Sequence, residues 1–132
     1  MSHLLDTHCF LWSLFNPGKL TSRARAVIAD PSQGVAVSSV TFCEIALKHA
    51  LGKLELENVS PADLPGAARE MGLELLLLDP DTAASVARLP RDRHRDPFDR
   101  MLVWQAIRGG LVLVSHDGSL ASYKPLGLRT LR

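Results

Sequence analysis

Asp6, Glu44, Asp99 and Asp117 are far apart in the chain but share a setting: each follows a short apolar run or opens a stretch of helical period. In an open parallel sheet such positions gather at the carboxyl edge, where ligands bind at the crossover crevice. Carboxylates gathered there repel one another, since a like-charge pair about 4 Å apart costs about 4 kcal/mol at an effective dielectric near 20. A cation should therefore compensate them, and oxygen-only ligation suits Mg²⁺ or Mn²⁺. Helix N-termini would help to keep the acids ionised. A divalent cation held by carboxylates activates water and stabilises in-line attack at phosphorus, so the chemistry indicated is phosphodiester cleavage.

Each acid also has a local reading. Asp6 can cap the helix after it, Glu44 can pair with Lys48 at i,i+4, and Asp117-Gly118 can be an ordinary turn. In "HRDPFDR", Asp96 is a preferred N-cap residue, Pro97 suits the first helical position, and Asp99 falls where a capping-box acid would sit. Arg91, Arg93, Arg95 and Arg100 surround this motif and form a candidate grip on a phosphate backbone, with a solvated loop as the alternative. The five histidines show neither HxxxH nor HExxH spacing, and the two cysteines, Cys9 and Cys43, form no CxxC. A zinc site is not indicated, and a reduced, cytoplasmic chain is the expectation. Phosphate cradles of the GxGxxG or GxxxxGK[ST] type are absent.

The elements that must position the acids follow from the hydrophobic pattern. Short apolar runs alternate with helical stretches, as in βαβ units. "HLL" reads as a first strand and "THCFLWSLF" as a helix stopped by Asn16-Pro17-Gly18. A second helix follows Thr21 and ends at "DPSQG". "VAVSSV" is expected as a strand and "TFCEIALKHALGKL" as a helix, with Glu44 in its first turn. "SPADLPGAAREMG" opens with a cap signal and stops at Gly72. "LELLLLD" is nearly continuous in apolar residues and predicts a strand buried on both faces. After a short helix in "PDTAASVARLP" come the buried helix "PFDRMLVWQAIRGG", the strand "LVLVS", a turn and short helix in "HDGSLASY", and an edge strand in "LRTL". The product is a three-layer α/β/α domain with a mostly parallel central sheet, occupying residues 1–132 as one unit.

Composition agrees with that scale. With 132 residues and 46% hydrophobic content, the chain can bury a real core. A formal charge of +1 excludes a strongly basic body that coats nucleic acid, so any such contact must be local. Repeats, low-complexity segments and apolar runs approaching the roughly 20 residues of a membrane span are absent.

Taken in order, "LLDTHCFLW", "SSVTFCEIALKHALGKL", "HRDPFDRMLVWQA" and "LVLVSHDGSLASY" resemble the acid-bearing blocks of PIN-domain ribonucleases, in particular the VapC-type toxins of bacterial type II toxin-antitoxin systems. The resemblance covers essentially the whole chain. It implies that Asp6, Glu44, Asp99 and Asp117 bind Mg²⁺ or Mn²⁺ as the catalytic cluster. Asp96 matches the subgroup signature and is assigned mainly to capping with a supporting role, while Ser115 would orient the last acid or a water. The resemblance also implies endonucleolytic cleavage of a single-stranded or structured RNA, often a transfer RNA, a homodimer, and a cognate antitoxin that covers the site. Cys43 stands where the subgroup often has Trp, and Leu120 where it usually has Phe; both are expected to be packing positions. Two alternatives have other requirements: a receiver-type signalling domain would use Asp79 and leave Glu44 and Asp99 unexplained, and a silent PIN-like binding module would be expected to lack some of the acids.

Overall fold

The computed structural model describes residues 1–90 and 95–132. These form a five-stranded sheet in the order β3-β2-β1-β4-β5, with every neighbouring pair parallel. The strands are β1 (His3–Leu5), β2 (Val35–Ser38), β3 (Glu74–Leu76), β4 (Val112–Val114) and β5 (Arg129–Leu131). Between them run α1 (Thr7–Phe15), α2 (Ser22–Ala29), α3 (Ser39–Ala50), α4 (Leu64–Glu70), α5 (Pro80–Ser85) and α6 (Pro97–Gly109), and a 3₁₀ segment, Gly118–Leu126, precedes β5.

The period-2 alternation of the strands divides the core into two halves. Leu5, Val35, Val37 and Val114 point to one side, where Cys9, Phe10, Ala24, Ile45, Leu64 and Ala68 cover them from the first four helices. Leu4, Ala36 and Leu113 point to the other, where Leu102, Val103 and Ala106 of α6 cover them. Tyr123 joins that second cluster from the 3₁₀ segment. Each such leucine or phenylalanine contributes roughly 1.5–3 kcal/mol by leaving water, so both layers hold the sheet. The expected three-layer arrangement with a parallel sheet is present. Among the described residues no helix is long and apolar enough to cross a membrane.

Helix boundaries follow from caps. Asp6 Oδ1 accepts from Cys9 N at 2.8 Å, Thr21 Oγ1 from Ala24 N at 3.1 Å, and Asp96 Oδ1 from Phe98 N at 2.8 Å. Gly110, at φ 64°, closes α6 in the left-handed conformation that glycine adopts without a Cβ penalty. Two boundaries differ from the expectation. The hydroxyl of Ser38 accepts from Val40 N at 3.0 Å and starts α3 at Ser39, so Glu44 lies in the second helical turn and not the first. "LELLLLD" also behaves differently: only Glu74–Leu76 pair, the strand lies at the sheet edge, and Leu77 is 75% exposed. An apolar run reports burial tendency; the crossovers decide which strand is central.

The strand order places the site. From β1 the chain winds to β2 and β3 on one side, then returns through α6 to place β4 on the other side of β1. The switch point therefore lies at the carboxyl ends of β1 and β4, where Asp6 N donates to Val114 O at 3.1 Å.

Candidate metal centre

Asp6 leaves β1 and caps α1, and Ser115, His116 and Asp117 leave β4. Together with Asp99 from the first turn of α6 they line a cavity of about 390 Å³. Its floor is apolar and comes from Leu102, Val103, Leu113 and Leu120, and its remaining wall is aromatic, formed by His8, Trp12 and His116. Ser115 is buried, and its Oγ accepts from Asp117 N at 3.1 Å, which shapes the turn that presents the last acid. Asp117 Oδ1 in turn accepts from Ser119 N at 3.0 Å and from Ser119 Oγ at 2.5 Å.

A second grouping shares Asp99. Carboxylate oxygens of Glu44, Asp96 and Asp99 lie within 4.8 Å of one another. Glu44 is 2% exposed, far too buried for an uncompensated carboxylate. Thr7 Oγ1 donates to Glu44 Oε1 at 2.5 Å, and the Lys48 ammonium donates to Glu44 Oε2 from one turn later. Lys48 also reaches Asp96 Oδ2 at 3.4 Å and stands 5.9 Å from the centroid of the Phe98 ring. Burial by itself would lower the Lys48 pKa, but the hydrogen bond and charge of Glu44, followed by those of Asp96, outweigh it and raise the value above that of an ordinary lysine. The i,i+4 alternative for Glu44 is thus realised, and it coexists with membership of the acidic group.

The oxygen-only donor set fits a hard divalent cation: three acids converge at one point, and one of them faces the cavity that holds two more. A thiol role is not supported nearby. Cys9 is fully buried, and desolvation, then the charge of Asp6, push its pKa up, so it stays protonated and packs as an apolar residue.

The basic residues divide. Arg95 is exposed immediately before Asp96. Arg100 does not line the cavity; its guanidinium donates to Leu89 O at 2.7 Å and Pro90 O at 3.1 Å and ties the start of α6 to the preceding chain. Arg91 and Arg93 lie outside the described residues. Asp79, central to the signalling-domain alternative, lies three residues beyond the edge strand and caps α5, its oxygens accepting from Thr82 N at 2.8 Å and Thr82 Oγ1 at 2.7 Å.

Sequence reasoning did not place Thr7, Lys48, His8, Trp12 or His116 at the site. The i,i+4 spacing of Glu44 with Lys48 and of His8 with Trp12 was the available signal. Nothing local indicated that Thr7 would meet a residue 37 positions away.

Known proteins support the same frame. The family model described as PIN domain matches residues 3–124. Ribonuclease VapC22 of Mycobacterium tuberculosis is 27% identical over 121 residues, covering 92% of this chain and 91% of that protein. Among solved structures, VapBC2 from Rickettsia felis bound to a promoter DNA fragment aligns with a TM-score of 0.66 at 14% identity, covering 99% of this chain and 98% of the other. FitAB bound to an IR36 DNA fragment also reaches 0.66, at 17% identity over 97% of this chain and 92% of that one. VapBC-5 from Mycobacterium tuberculosis, a member of the VapBC family of toxin-antitoxin systems, reaches 0.57 at 19% identity over 98% and 95%. With the parallel sheet, the switch-point acids and a family match over nearly its full length, the chain belongs to the PIN domain family.

Proposed function

We propose that this chain is a Mg²⁺- or Mn²⁺-dependent endoribonuclease that acts as the toxin of a type II toxin-antitoxin pair. The observation that carries the reading is the position of Asp99, which belongs both to the carboxylate group with Glu44 and Asp96 and to the cavity wall with Asp6 and Asp117. Asp6, Glu44, Asp99 and Asp117 would hold the cation. When bound, it supplies activation of the attacking water and neutralisation of charge on the phosphoryl oxygens. The protein's own groups do the rest. Thr7 and Lys48 hold Glu44 in its orientation, Asp96 fixes the start of α6 so that Asp99 is presented to the cavity, and Ser115 holds the Asp117 turn. Arg95, with Arg91 and Arg93, would meet the RNA backbone, whereas Arg100 positions α6.

The names of the relatives support the toxin assignment: VapC22 is called a ribonuclease, and VapBC-5 a member of the VapBC family of toxin-antitoxin systems. By the same likeness the chain would act in the cytoplasm as one domain, as a homodimer, with a cognate antitoxin over the site and an RNA such as a transfer RNA as substrate.

The deciding experiment treats total cellular RNA with purified protein in Mg²⁺ or Mn²⁺, with excess EDTA, and with Asp99→Asn in parallel. Discrete fragments that vanish with EDTA and in the variant are expected. No cleavage by folded, partner-free protein would overturn the reading in favour of a silent binding module.

A further inference from the structure

The aromatic wall of the cavity lies outside the carboxylate group of Glu44, Asp96 and Asp99, yet it is built as specifically as the acidic wall. Trp12 lies one helical turn after His8 on α1, and their ring centroids are 6.0 Å apart at 51°. His116, arriving from β4, meets Trp12 edge-on at 5.1 Å and 87°. Lys19 Nζ stands 5.8 Å from the Trp12 ring. Trp12 is half-buried, with part of its surface packed on the core beneath α1 and part lining the cavity. Its indole N–H donates to no acceptor among the described residues, whereas the other tryptophan, Trp104, donates to Ser85 Oγ at 3.0 Å. A tryptophan needed only for packing would not have to line the same cavity as three acids.

We propose that Trp12, framed by His8 and His116, is a stacking platform for one unpaired nucleobase beside the phosphate addressed by the acids; this rests on the nuclease reading given above. The two walls match the two halves of a nucleotide. Carboxylates, through a divalent cation, take the phosphate, and a flat aromatic surface takes the base, which every nucleobase can satisfy with its own π-face. The volume of about 390 Å³ lies in the range of small-ligand sites, roughly 300–1,000 Å³. Lys19, its Nζ 5.8 Å from the centroid of the ring, adds a positive charge beside the platform that a flanking phosphate can meet. A base inside a duplex has both faces covered by its neighbours, so Trp12 would account for the preference for unpaired nucleotides that the family resemblance implies.

The test uses the full chain carrying Trp104→Phe, which leaves Trp12 as the sole tryptophan. A short unstructured oligoribonucleotide is titrated in Ca²⁺, with binding followed by anisotropy of a label on the RNA and stacking followed by Trp12 fluorescence. Quenching that saturates with binding is expected, and a blunt duplex of the same sequence should give none. In the otherwise unaltered chain, Trp12→Leu should weaken single-strand binding about tenfold or more, and Trp12→Phe should restore most of it. Saturable binding without quenching, or unchanged affinity in Trp12→Leu, overturns the platform even if the protein cleaves RNA. Binding with quenching but without Mg²⁺- or Mn²⁺-dependent cleavage upholds the platform and overturns the nuclease reading. An oligoribonucleotide that does not bind at all overturns both.

Discussion

Lys48 bridges the buried carboxylate of Glu44 and the cap residue Asp96, 48 positions away in sequence. One ammonium thus neutralises part of the group that the proposed cation would enter, so Lys48 and the cation compete for the same negative charge. Lys48→Met should destabilise the cation-free protein by about 1–2 kcal/mol, less than a fully buried pair would lose because the lysine side chain is partly exposed and screened. Mn²⁺ should then raise the melting temperature of the variant more than that of the wild type. Melting curves in EDTA and in Mn²⁺ check both statements. Because the folded Lys48 pKa is raised, its contribution is fully present below the unfolded lysine value near ~10.4 and is lost as pH rises through the higher folded value. The stability gap between wild type and Lys48→Met should therefore be constant near neutrality and close on the alkaline side.

Thr7 is the other support of Glu44. Thr7→Val keeps the shape but removes the hydroxyl that donates at 2.5 Å, leaving a buried carboxylate short of a partner. A loss of roughly 1.5–3 kcal/mol is expected from denaturant unfolding, and Thr7→Ser should recover most of it. Equal stability of all three proteins would show that Glu44 does not depend on this bond.

Asp96 combines a cap with a charge, and two substitutions separate them. Asp96→Asn can still accept the Phe98 N–H and should change stability little, whereas Asp96→Ala should cost about 1 kcal/mol. On cleavage, Asp96→Asn should retain most activity while Asp6→Asn and Asp99→Asn lose it, since those two line the cavity. Equal loss in all three would place Asp96 among the essential ligands.

Asp79 tests the acid limb away from the site. The Thr82 backbone N–H, then the Thr82 hydroxyl, hold its carboxyl below the usual carboxylate range. With a lowered folded pKa, its contribution is present above the unfolded value near ~3.9 and is lost as pH falls through the folded value. Asp79→Ala should lower the melting temperature at neutral pH by on the order of a few degrees, and the difference from wild type should shrink below about pH 4. A difference that persists into strong acid would mean that packing of α5, and not the ionised cap, was lost.

Local signals were enough for much of this molecule. Asp6 and Asp96 read as caps because a short acidic side chain before a helical period satisfies exposed N–H groups, and that chemistry acts within three residues; Asp117 read as a turn, and the structure has it capping the 3₁₀ segment. The alternation of short apolar runs with helical stretches likewise pointed to a parallel sheet, because a parallel crossover needs a helix-length connection. The same locality limited the reading of "LELLLLD", whose apolar content could not say that β3 lies at the edge with Leu77 in solvent. Only the tertiary structure brought Thr7 and Lys48 to Glu44, let Asp99 belong to two acid groups at once, and set Trp12 beside His116 at the end of β4. The physical reason is the switch point: β4 settles against β1 through burial of both sheet faces, a sum over residues distant in sequence, and that placement turns separate caps into one site.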